Sequence, residues 1–154
     1  MVSEMKTIRI LIGSILLLSM LPAVAADTKA LMERYRQSLD QQDAEGLKRL
    51  ISPDASIRLL LEQPEKEPLV LTLTRQEYLQ QLRALWRFSE TETYELSDIR
   101  TASTNNGKSV SFTQHERYRL LGETLNRQSA ITLWAIDENG MPLIVRIEAL
   151  TREW

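Results

Sequence analysis

The 154-residue sequence contains no cysteine. That excludes disulfides, thiol nucleophiles, thiolate metal sites and a lipid anchor on a leader cysteine. Histidine occurs once, as His115. A zinc site would then rest almost wholly on carboxylates, which zinc rarely accepts alone, so no metal is expected. Glycine occurs five times, and no Gly-x-Ser-x-Gly, His-Glu-x-x-His or phosphate-cradling loop is present. Nucleotide cofactors are therefore disfavoured, and no cofactor is expected. No block of Lys or Arg occurs, and the 19 basic residues face 21 acidic ones. A phosphate backbone needs a basic footprint, so nucleic acid is not an expected partner.

What is present starts with a leader. Lys6 and Arg9 precede an apolar run, Ile10 to Leu21, interrupted only by Gly13, Ser14 and Ser19. Pro22 ends the run, and Ala23-Val24-Ala25-Ala26 leads to the polar Asp27. A basic start, a short apolar centre and small exit residues form the pattern of a cleavable secretory signal. The run is shorter than the ~20 residues a spanning helix needs, so no stable membrane anchor is expected after cleavage. Residues 1–26 are read as a signal peptide cleaved after Ala25 or Ala26, which implies a periplasmic or secreted protein. The remaining 128 residues, 27–154, are read as one domain. Losing Glu4, Lys6 and Arg9 leaves 17 basic and 20 acidic residues.

The domain opens in helical periods. Asp27 can cap a helix over about 28–42, with Leu31, Tyr35 and Leu39 on one stripe. Asp43 starts a second, short helix to about Ile51, which Ser52-Pro53-Asp54 should end. Strands are expected over 55–61 and 69–73, bracketing a charged loop at Glu65-Lys66-Glu67. Thr74-Arg75-Gln76-Glu77 is a capping box for a helix reaching about Phe88. Beyond Ser89 the period becomes two. Long strands over 91–103, 109–121, 123–136 and 142–152 are separated by Asn105-Asn106-Gly107, Gly122 and Asp137-Glu138-Asn139-Gly140. Asn-Gly is a strong hairpin signal because both residues tolerate positive φ. The pattern predicts an α+β fold: a curved antiparallel sheet with two or three N-terminal helices packed on its concave face.

In Ala130-Ile131-Thr132-Leu133-Trp134-Ala135-Ile136 both alternating faces are apolar. A strand wet on one face would alternate apolar with polar. Helices can cover one face; a long loop, the C-terminus or a second subunit can cover the other. The expectation is a homodimer through the sheet face around Ile131, Leu133 and Ala135.

The order of these elements, together with Asp43-Ala44-Glu45-Gly46-Leu47 and Pro53-Asp54-Ala55-Ser56-Ile57, resembles the nuclear transport factor 2-like superfamily. The ketosteroid isomerases and polyketide cyclases are among its members. The resemblance covers about Asp27 to Trp154. It implies a cone-shaped, cystatin-like α+β roll around a pocket. It also implies that Tyr35 matches the isomerase tyrosine that stabilises the dienolate. The isomerase base then falls at Leu59 and the second oxyanion-hole acid at about Thr132. Leucine carries no proton, and threonine is not a neutral carboxylic acid. Isomerase chemistry by that route is not expected.

Candidate site residues follow. Tyr35 either packs in the core or offers a pocket hydroxyl. Gln114 and Glu116 interrupt a face of Val110, Phe112, Tyr118 and Leu120. A carboxylate buried there would resist ionisation and could serve as acid or base; on a twisted strand end it would instead pair with an Arg in solvent. His115 shares the other face with Arg117 and Arg119, a solvated setting. Glu90, Glu92, Glu95 and Asp98 read as a solvated edge. Trp86 follows helical spacing, whereas Trp134 can line a cavity or fill core. The sequence thus predicts a non-enzymatic binder of a small apolar or amphipathic ligand, with Tyr35, Glu116, Tyr118, Thr132 and Trp134 as the ligand-binding residues. The alternatives are an assembly module or homodimeric scaffold, and an isomerase, cyclase or hydrolase with a relocated acid–base pair.

Overall fold

The computed structural model describes residues 27–154. The signal-peptide reading of residues 1–26 lies outside the described residues. Three helices precede and interrupt six strands: α1 (Thr28–Asp40), α2 (Ala44–Leu50), β1 (Ile51–Gln63), β2 (Lys66–Leu73), α3 (Arg75–Phe88), β3 (Glu92–Ser103), β4 (Lys108–Leu120), β5 (Glu123–Glu138) and β6 (Met141–Glu153). The strands form one curved, unclosed sheet in the order β2-β1-β6-β5-β4-β3. All pairs are antiparallel except β1 with β6.

Local signals set the helix starts. The Asp27 carboxylate accepts from the Ala30 amide, and the Asp43 carboxylate from Gly46 at 2.8 Å. At α3 the capping box is reciprocal: Glu77 N donates to Thr74 Oγ1 at 3.2 Å, and Thr74 N donates to Glu77 Oε2 at 2.7 Å. These bonds satisfy amides that the first turn of a helix leaves free. They also hold the Glu77 carboxyl below its usual range, the bond from the Thr74 backbone contributing most.

Three local expectations are corrected. Ser52-Pro53-Asp54 does not follow the second helix as a loop. It lies inside β1, where the register against β6 jumps from Ile51↔Ile144 to Ser56↔Arg146. Pro53 cannot donate to a ladder, and an irregularity is where a sheet tolerates it. Lys66 and Glu67 belong to β2 rather than to a loop. Neither Asn106 nor Gly107 has positive φ. Gly107 is required for a different reason: a Cβ there would sit 2.1 Å from the Ala135 carbonyl oxygen. The primed turn geometry appears instead at Asn139 (φ +55°) and Gly140 (φ +80°).

The strand pairing aligns concave-face residues into rows that cross the sheet. One row is Val110–Leu133–Ile147–Ile57–Leu73, and the next is Phe112–Ile131–Ala149–Leu59–Leu71. With Leu31, Tyr35 and Leu39 of α1, Leu47 of α2 and Leu79 of α3, these rows make the core. Tyr35 meets Phe112 edge-on at 5.7 Å between ring centres. Ile131, Leu133 and Ala135 are buried within the single chain. The expected dimer contact through these three is therefore corrected: the face they share lies under the helices and presents nothing to a second copy.

Candidate functional site

The rows change character toward the far end of the cone. After Phe112–Ile131–Ala149–Leu59 comes Leu96–Gln114–Ser129–Thr151–Leu61, then Tyr94–Glu116–Arg127–Glu153, then Glu92–Tyr118–Leu125. Alternation keeps all of them on the concave face, so polar groups are carried inside by the same periodicity that builds the core. Gln114, Glu116, Ser129 and Thr151 are all buried. No buried side-chain nitrogen or oxygen among the described residues lacks a hydrogen-bond partner.

A cavity of about 240 Å³ opens over this end. Leu59, Leu61 and Leu71 of the β1–β2 hairpin wall one side, and Tyr78, Gln81, Leu82 and Leu85 of α3 wall another. Gln114, Glu116, Arg127, Ser129, Ile131, Ala149 and Thr151 form its floor. Leu59, the position that the resemblance aligns with the isomerase base, is part of the hydrocarbon wall. Wider clefts occur outside the cone, for example one of about 460 Å³ between α1, α2 and the β5–β6 turn. That cleft is lined by the exposed Arg34, Gln41, Arg49 and Glu138 together with the buried Ser38, Leu50 and Pro142, and by none of the buried polar residues Gln114, Glu116, Ser129 or Thr151.

The polar groups pair in four clusters along this end. The Tyr35 hydroxyl donates to Gln114 Oε1 at 3.2 Å. Ser129 and Thr151 hydroxyls bond each other at 2.8 Å. Trp86 Nε1 donates to the Tyr94 hydroxyl at 2.7 Å, and that hydroxyl donates to Glu92. Arg127 Nη2 donates to Glu153 Oε2 at 2.9 Å and to the Tyr118 oxygen at 3.1 Å, while the Tyr118 hydroxyl donates to Glu153 at 2.7 Å. The guanidinium also lies over the Tyr118 ring, 5.2 Å from its centre. Arg127 Nη1 stands 3.9 Å from Glu116 Oε2, a looser contact.

Burial dominates the electrostatics. It pushes the Glu116 carboxyl up to about 7; Arg127 opposes the shift and Glu92 adds to it. Removing a carboxylate from water penalises its charged form, and one guanidinium at this distance does not restore it. Burial likewise raises Glu92, against bonds from Tyr94 and Ser89. The Tyr35 hydroxyl is raised well above its ordinary value, first by burial and then by Tyr78. Burial pushes Tyr78 up to about 12. The phenols stay neutral donors, and Glu116 is the group that changes charge near neutrality.

Of the residues expected to bind ligand, Glu116 lines the cavity. Tyr35 sits one bond behind it through Gln114, and Tyr118 lies at the far end, engaged with Arg127 and Glu153. Thr132 and Trp134 are a correction: they point to the opposite face of the sheet. There Thr132 bonds Ser111 at 3.1 Å, and Arg146 stacks over Trp134 at 4.4 Å. Both faces of that stretch are apolar, and the one-residue parity that separates them carries no mark in the sequence. Tyr78, Glu92, Tyr94 and Arg127 are site residues that sequence reasoning missed. Their signal is register: each stands on a concave row or on the apolar stripe of α3. Among the described residues, no group of three or more His, Cys, Asp or Glu is placed to hold a metal ion, and no helix is long and apolar enough to cross a membrane.

Neither a scan against family models nor a search of curated proteins returns a match to this chain. Solved structures do match. A protein of Streptomyces avermitilis provisionally assigned as a dehydratase of the nuclear transport factor 2-like family superposes with a TM-score of 0.60 at 16% identity, over 80% of this chain and 92% of that one. A provisionally assigned scytalone dehydratase from Novosphingobium aromaticivorans gives 0.61 at 20% identity, over 80% of each chain. An uncharacterised Caulobacter vibrioides protein with a cystatin-like fold gives 0.62 at 15% identity, over 80% and 86%. The chain therefore has the nuclear transport factor 2-like fold, in its cystatin-like α+β form.

Proposed function

We propose that this chain is an exported, non-enzymatic binder of a small apolar or amphipathic molecule held in the cone. One observation carries the reading: a cavity of about 240 Å³ walled mainly by leucines, with Gln114, Glu116, Arg127, Ser129 and Thr151 together on its floor. Apolar walls with a few convergent polar groups are the usual make-up of a small-molecule site. Hydrocarbon contact supplies affinity, and Gln114, Glu116 and Ser129 supply orientation.

Native mass spectrometry of protein purified from the periplasm tests this. A retained non-covalent mass of small-molecule size is expected, on a chain beginning at Ala26 or Asp27. Bare chains, with the leader still attached, would refute both the binding and the export parts. The same spectrum counts subunits. A second copy joined through the sheet would meet its outer face, around Leu60, Val70, Ala130 and Leu150.

A second reading is a proton-transfer enzyme with Glu116 as acid or base. It is favoured by Glu116 titrating near neutrality against the cavity, on a fold shared with provisionally assigned dehydratases. The molecules retained by wild type and by Glu116→Gln separate the two readings. The same compound on both indicates a binder. A substrate on the variant and its product on the wild type indicate catalysis.

A further inference from the structure

Three carboxyl groups converge on one guanidinium at the polar end of the cone. Glu153 takes the short contacts of Arg127, at 2.9 Å, with Tyr118 completing that set. Glu116 is left with a contact of 3.9 Å and with the Glu92 carboxyl as a neighbour that pushes it further up. The groups that face Glu116 are Tyr35 of α1, Tyr78 of α3, Glu92 and Tyr94 of β3, Gln114 and Tyr118 of β4, Arg127 of β5 and Glu153 of β6. The four phenols are neutral. Arg127 is the one cation among these groups, and it is closest to Glu153. Glu116 and Glu92 are thus left at this end without a short cationic partner, so a cation entering the cavity finds an acceptor whose charge nothing else neutralises closely. Most of the rest of the cavity wall is hydrocarbon, with five leucines, Ile131 and Ala149 beside Tyr78 and Gln81.

A molecule complementary to this surface has hydrocarbon over most of its length and one positive charge at its tip. We infer that the ligand is a lipophilic amine, bound with its ammonium on Glu116 and its hydrocarbon body against Leu59, Leu71 and Leu82. The inference rests on the binding reading above. It commits to a charge type that the cavity alone does not specify. A carboxylate ligand would need Arg127, whose short contacts Glu153 already holds. Near neutrality the Glu116 carboxyl is partly protonated, so seating an ammonium there expels that proton to solvent. Binding is therefore coupled to proton release, and amine affinity rises with pH until the amine itself loses its charge.

Three probes sharing one ring separate the possibilities: cyclohexylmethylamine, cyclohexylmethanol and cyclohexanecarboxylate. Calorimetric titration of the purified protein at about pH 7, near the titration of Glu116, is run in buffers of low and high ionisation enthalpy. The amine is expected to bind at least about tenfold more tightly than the alcohol, with the carboxylate weakest. The amine heat should differ between buffers by about half a released proton per site, since Glu116 is about half protonated there; the alcohol heat should not. Glu116→Gln should erase the advantage of the amine. The buffer series on wild type tests the same claim without any variant. An alcohol equal to the amine, a carboxylate that binds tightest, or an amine heat independent of buffer overturns the amine inference and leaves the binding reading standing. No binding by any of the three overturns both.

Discussion

The two ends of the concave face are built from the same strands and differ by only a few residues. Val110 lies in a wholly apolar row under the helices, with Leu133 and Ile147 fully or almost fully buried, and the equally apolar row of Phe112 beside it borders the cavity through Ile131 and Ala149. Glu116 and Tyr118, six residues further along the same strand and face, lie in rows of carboxyls, phenols and a guanidinium. Burial is similar at both ends: Glu116 is 6% exposed and Phe112 4%. The chemistry of what is buried is what differs. A dry apolar row gains free energy from every atom enclosed, whereas an enclosed carboxylate costs free energy unless something pairs with it. The closed end supplies stability, and the open end uses part of it to keep a reactive group out of water.

The largest expected break in that contrast is at the closed end. Leu133→Ala should cost about 2–5 kcal/mol in urea unfolding, since it empties the centre of an apolar row. If the protein survives, ligand affinity should move far less than stability. The opposite sign is expected at the other end. Glu116 titrates higher in the folded protein, at about 7, than the ordinary 4.5 of an unfolded chain. The stability it contributes is complete below about 4.5 and is lost as pH rises through about 7. Glu116→Gln should flatten that slope and leave the variant more stable than wild type on the alkaline side, by up to about 3 kcal/mol. A urea midpoint series across that window reads it, and a variant less stable at every pH would break the contrast. Between the ends, Tyr35→Phe should cost about 1 kcal/mol by leaving the buried Gln114 oxygen without its donor. Thr74→Ala, remote from both ends, should lower stability by about 1 kcal/mol through the lost cap, with no change in ligand affinity. The smallest effect belongs to the outer face. Trp134→Ala should cost roughly 0.5–1 kcal/mol of stacking with Arg146 and leave binding of the cyclohexyl probes unchanged. A loss of binding there would place the site on the wrong side of the sheet.

The legible parts of the molecule were those with a local cause. The Thr74–Glu77 box, the Asp27 and Asp43 caps and the period-two stretches each carry their own physics, and all the expected elements are present. Gln114 and Glu116 could be found because two polar residues interrupt an otherwise apolar alternation. Arg127 could not. In Leu125-Asn126-Arg127-Gln128 it resembles any surface strand, and only pairing with Glu116 on one side and Glu153 on the other brings it inside. In sequence Glu92 reads as part of a solvated edge because it shares an expected strand with Glu95 and Asp98; its register opposite Tyr118 turns it inward. Thr132 and Trp134 were misplaced for the converse reason. When both faces of a strand are apolar, one-residue parity decides the side, and only the helices reveal which side is inner. Gly107 combines both lessons. Its presence was legible as a turn, but the demand for glycine comes from Ala135, which is distant in sequence.

The parallel seam between β1 and β6 has a kinetic consequence. β6 lies between β1 and β5, so within the sheet it alone joins the β1–β2 hairpin to the β3–β5 meander. During synthesis these pieces have no shared edge until the final strand emerges. Contacts spanning most of the sequence must then form together, a topology associated with slow folding. A protease acting on the nascent chain would therefore find two loose halves, and one acting on the finished protein a single cooperative unit.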